Sequence, residues 1–336
     1  WSGIISGTGS LANSGTGTLT LNSANTFSGG TTISAGTIVF GNNTAFGTGT
    51  ITANGGTLRG GVTTANNIVV NSATTFDVAG GNWTLNGNIS GNGTITRGTA
   101  ATLSLYLGGD NSGFTGTYQD QNNGNAVTRF SANTAGSASA RWKFNQPSMG
   151  RTSLPTTSGT IRFGSMSGTG TLSDGGSGIV NTIEVGALGL NDTFSGVIGT
   201  FNGKIGLTKV GTGTMTLLGA NTYAGSNNIT AGKLIISTAS LAKGIYLVAS
   251  NATFGVTNTT TGSATISNLI VAAGSALEFQ RVTNPVTPLI AASNLIVNGS
   301  CLVKIIGTNG LKIGTNYPLV SYSGTFSGQL TNLLLQ

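Results

Sequence analysis

The sequence predicts an all-β chain folded as a parallel β-solenoid of short stacked coils. Three observations predict it: a composition that starves helices, short runs of alternating polarity, and an internal repeat. The 336 residues include 56 Gly and 5 Pro, and charged residues make up 6%, against about 25% in ordinary globular chains. Gly, Thr, Asn and β-branched residues are poor helix formers but suit strands and tight turns. Because 38% of the chain is hydrophobic and these residues recur in short patterned runs, the chain reads as folded rather than disordered.

The alternation is explicit where Leu19 and Leu21 share one face and Thr18 and Thr20 the other, and again where Met215 and Leu217 oppose Thr214 and Thr216. This is the pattern of a half-buried strand. Similar strands, punctuated by GTG, NGG or NN, continue through ITANGGTL, NNIVVNSATTFDV, NWTLNGNISGNGTI and NLIVAAGSALEF with no helical gap. Successive coils fit this better than a sandwich. Coils of about 20 to 25 residues give roughly fifteen rungs in one continuous solenoid over 1–336. In such a stack the backbone pairs between rungs while Thr and Asn form ladders outside, and like charges at rung spacing repel, which accounts for their scarcity.

The repeat is GTGTLTLNSANTFSGGTTISAGTIVF at 15–40 and GTGTMTLLGANTYAGSNNITAGKLII at 211–236, identical at 13 of 26 positions. A degraded third copy, LYLGGDNSGFTG, runs over 105–116. One element survives where the rest drifts: an aromatic, a small residue, then Gly, at Trp1, Phe27, Phe114, Phe194, Tyr223 and Phe326. The spacing predicts a structural corner. The aromatic fills the core, and the Gly turns the backbone through conformations barred to other residues. The functional alternative is a row of aromatics that stacks sugars.

These two segments, with the LTKV that leads into the second, resemble the autotransporter-associated β-strand repeat, also called the passenger-associated transport repeat. The resemblance is strong over the two copies and loose elsewhere. It implies a right-handed parallel β-helix exported to the bacterial cell surface or beyond, and it marks architecture and export rather than an activity.

Residues 119–164 depart from the pattern and concentrate Arg129, Arg141, Trp142, Lys143, Arg151 and Arg162. The composition predicts a divergent, loop-rich insertion on one side of the solenoid. Its functional alternative is a face that binds anionic polysaccharide, a host surface or a neighbouring subunit. Outside this stretch the charges behind the chain's formal +7 are spread thinly, which gives nucleic-acid binding little support. No apolar run is long enough to span a bilayer. The single Cys301 permits no disulfide within one chain and is expected to be a buried free thiol.

Chemistry finds little to work with. The absence of His removes the commonest general base, the serine triad and most zinc sites. The carboxylates Asp77, Asp110, Asp120, Asp174, Glu184, Asp192 and Glu278 are scattered, and Glu184 with Asp192 is the pair placed to meet across coils. The GxG steps read as turns, since no helix follows them. No cofactor or metal is expected. The expected function is therefore a non-enzymatic structural protein of the bacterial cell surface or extracellular matrix. Trp1 to Ile5 is already repeat-like and 333–335 is apolar, so head-to-tail association of identical subunits is the leading expectation. An adhesin-type passenger fragment is the alternative, with a polysaccharide lyase or hydrolase behind it.

Overall fold

A computed structural model describes residues 3–98, 102–121, 125–146, 151–200, 202–284, 286–307 and 311–336. The strands stack in parallel register as a β-solenoid of about 12 turns with almost no helix. Rung length varies along the chain: Asn25 bonds to Ala45, 20 residues on, whereas Asn294 bonds to Asn268 across 26. The chain divides into two compact units, 1–164 with 168–175, and 165–167 with 176–336.

The first unit has three ladders. One comprises Leu11–Asn13, Thr31–Ile33, Ile51–Ala53, Ile68–Val70 and Ile89–Ser90. A second runs through Thr18–Leu21, Thr37–Phe40, Thr57–Gly60, Thr74–Val78, Thr94–Arg97, Thr117–Asp120 and Ser137–Phe144. The third holds Thr63–Thr64, Trp83–Leu85, Leu105–Leu107, Val127–Phe130, Arg151–Ser153 and Thr171–Ser173. Side chains alternate across each strand, so registered residues form columns. Ile38, Leu58 and Phe76 are an inward column, and Thr18, Thr37, Thr57, Thr75 and Thr96 stack in register outside it. Aromatic rings interlock along the core, with Phe40 4.9 Å from Trp83 and Trp83 5.1 Å from Phe76.

The second unit is built on two ladders. Val180–Val185, Lys204–Lys209, Asn227–Ile229, Tyr246–Val248, Ala264–Ala272 and Ile290–Asn298 form one. Asp192–Phe194, Thr214–Leu217, Lys233–Ser237, Thr253–Thr257, Ala276–Gln280, Cys301–Ile306 and Leu333–Leu335 form the other.

Residues 119–164, expected from composition as a divergent, loop-rich insertion, are described except at 122–124 and 147–150. They carry Val127–Phe130, Ser137–Phe144 and Arg151–Ser153 in parallel register with their neighbours, plus one short 3-10 turn, Asn133–Ala135. Alternation decides this. Trp142 and Phe144 point inward while Arg141 is exposed, so the basic residues decorate rungs rather than break them.

Candidate functional site

The repeat corners come from the motif upward. Phe27, Phe114, Phe194 and Tyr223 are fully buried. Phe326 differs, being half-buried with its ring stacked 5.6 Å from Tyr322. Trp1 lies outside the described residues. The glycine that follows the aromatic serves a purpose other than the expected one. At Gly29, Gly116 and Gly225 the backbone is not left-handed, but a Cβ would collide with the Gly9, Gly93 and Ile205 backbone of the neighbouring rung. Close approach, rather than φ, requires glycine there. Only Gly328, after Phe326, has positive φ among these.

Sequence reasoning missed the asparagine ahead of Phe27, Phe114 and Tyr223. Asn25 Oδ1 accepts the Ile5 N–H at 2.9 Å and its Nδ2 donates to the Ala45 carbonyl at 2.7 Å, so one amide spans three rungs. Asn111 does the same between the Ile89 N–H and the Ala135 carbonyl. Asn221 accepts the Ile198 N–H at 2.8 Å and donates to Gly219. All three are buried, and each satisfies backbone groups that a turn would otherwise strand. The shared ANT ahead of Phe27 and Tyr223 was the available signal.

A second equivalence links Asn13 and Lys209, each two residues before the GTGT run. Asn13 Nδ2 donates to the Ala35 carbonyl at 3.0 Å. Lys209 Nζ donates to the matching Ala231 carbonyl at 3.2 Å, and to Val210 and Gly211 at 2.8 and 2.9 Å. Burial lowers the Lys209 pKa to about 8, with Asp192 opposing the shift. The unfolded lysine titrates near 10.4. Between these values the unfolded chain binds the proton that the folded chain has released, so this residue makes stability rise with pH across that window. The urea midpoint of the wild type, compared with Lys209→Met, is expected to gain between pH 8 and 9.5. A constant difference would contradict it.

The basic residues divide between ladders. Arg141 and Lys143 register with Thr117 and Gln119 on one ladder, while Arg129 and Arg151 lie on another. Arg129 sits 5.9 Å from the centroid of the Tyr106 ring, and Arg162 is exposed on Gly159–Gly168. Trp142, expected as the surface aromatic, is a core residue at 2% exposure. Its rings lie 5.3, 5.2 and 5.3 Å from Tyr118, Phe130 and Phe163, and its Nε1 donates to the Ser137 carbonyl at 3.1 Å. Strand alternation puts it inside because its neighbours Arg141 and Lys143 take the outward positions.

The carboxylates stay apart as well. Glu184 registers with Thr208 and Asp192 with Met215, so the coils do not pair them. Asp77 faces Arg59 at 3.3 Å, and Glu278 is contacted by Lys233 and by Gln280. Among the described residues no group of three or more His, Cys, Asp or Glu is placed to hold a metal. A groove of about 360 Å³ in the second unit is lined by Val180, Thr182, Lys204, Asn228, Lys243 and Ser267 among others, with no carboxylate. Cys301 is a buried free thiol whose pKa burial raises. No helix among the described residues is long and apolar enough to cross a membrane.

Comparison with the curated proteins and with the solved structures finds no match. The family model of the Passenger-associated-transport-repeat does match, at residues 11–40 and 207–236. These are the two segments in which Asn13 and Lys209, Asn25 and Asn221, Phe27 and Tyr223 hold paired places.

Proposed function

We propose that the chain is a non-enzymatic, exported structural protein of the bacterial cell surface or extracellular matrix, a solenoid building block that associates head to tail with identical copies. The repeats and the solenoid together fit an autotransporter-passenger-like domain. The stack itself supports the reading: strands of both units pair in parallel register from rung to rung, a rung presented at the end of such a stack is a template for another strand, and a heterologous contact of this kind propagates as an open filament. The scattered carboxylates and the lack of His support the non-enzymatic reading.

Electron microscopy and sedimentation of the wild type are expected to show linear polymers. Leu334→Lys with Leu335→Pro, which removes an edge donor and charges the flank, is expected to yield monomers with unchanged far-ultraviolet dichroism. A monomeric wild type would overturn the proposal. The adhesin alternative loses its aromatic, since Trp142 is in the core.

A further inference from the structure

The core of the first unit is polar at one place. The column of Leu58 and Phe76 continues as Arg97 and Asp120 before it returns to Phe144. On the facing ladder, Trp83 and Leu105 are followed by Thr128 and Thr152. Arg97, Asp120, Thr128 and Thr152 are each 0% exposed. On the far side of Asp120 the contacts are protein: its Oδ2 accepts from Gln146 Nε2 at 3.0 Å and from Thr152 Oγ1 at 3.3 Å. The partners of Arg97 are incomplete. Arg97 Nη2 donates to the Leu103 carbonyl at 2.7 Å, but Nε and Nη1 meet no acceptor in the protein, although Asp120 is the register neighbour one rung on.

A buried guanidinium does not leave the three N–H bonds of Nε and Nη1 unanswered, because each would forfeit its hydration without replacement. We infer that an ordered water site inside the solenoid lies between Arg97 and Asp120. The water accepts from the guanidinium and donates toward the carboxylate, which suits the roughly three hydrogen bonds of a buried water. Water fits better than an anion, since the cationic Arg97 is balanced by the carboxylate one rung away and a halide would sit against Asp120. The hydrated pair also fixes alignment. A two-residue slip of one strand along the other would set Arg97 against Tyr118 instead of Asp120, leaving both charges buried without each other.

A crystal structure that resolves ordered solvent is expected to show water density about 3 Å from Arg97 Nε or Nη1. A dry gap there, or a direct guanidinium–carboxylate contact, would overturn the inference. A bromide soak that places an anomalous peak at the site would replace water with an anion and overturn it too. In solution, oxygen-17 relaxation dispersion is expected to count fewer long-lived waters in Arg97→Met/Asp120→Leu than in the wild type. An unchanged count in the folded variant would argue against the site, and the crystallographic arm needs no variant to fold.

Discussion

Gly36→Ala and Gly232→Ala are each expected to cost about 4 kcal/mol or more of folding stability, among the largest effects of any single methyl group in this chain. Both glycines are left-handed, at φ +64° and +63°, which costs a residue with a side chain about 1–2 kcal/mol. The larger part is collision. A Cβ at Gly36 would overlap the Gly15 and Gly17 carbonyls, and one at Gly232 the Gly211 and Gly213 carbonyls. Those carbonyls cannot swing away cheaply. Gly17 accepts the Thr37 N–H and Gly213 the Lys233 N–H, while Gly211 also accepts from Lys209. Gly274 is the control, because it is equally left-handed at +75° but has nothing within 4 Å of its Cβ position. Gly274→Ala should cost about 1 kcal/mol. Urea denaturation of the three variants tests the order, and equal losses would show that backbone strain, not rung packing, sets the cost.

Trp142→Ala is expected to lose about 3–5 kcal/mol, the range for emptying an aromatic-sized space in a packed core. The indole contacts three other rings and its N–H is bonded to Ser137, so truncation also leaves that carbonyl to find another donor. Arg141→Ala, on the adjacent outward position, should stay within about 0.5 kcal/mol. Thermal or urea melts separate them. If the tryptophan change were as mild as the arginine change, the inward placement would be wrong. A loss of surface binding in a variant lacking Trp142 would therefore report unfolding before it reported a binding site.

These two sites show what could be read from the chain and what could not. The strands at 18–21 and 214–217 were legible because Thr and Leu alternate without interruption, and parallel stacking followed from the repeat. Trp142 was misplaced although the same alternation runs through Arg141, Trp142, Lys143 and Phe144. Five cationic residues and a tryptophan within 119–164 make composition the conspicuous signal, while period two carries the answer. The corner glycines were expected for their φ, yet at Gly29 and Gly116 the constraint comes from a rung 20 or so residues away, which no local pattern encodes. Arg97 and Asp120 were hidden for the same reason. Their columns exist only once the register is known.

Register neighbours in either unit are separated along the chain by about one rung, as with Asn25 and Ala45 or Asn268 and Asn294. Contacts of this kind ask for no distant partner. A polypeptide delivered end first through a narrow opening can close each rung as soon as the next few tens of residues have cleared it. Every rung that closes is wider than the extended thread behind it, so in a chain threaded this way folding would oppose backward movement.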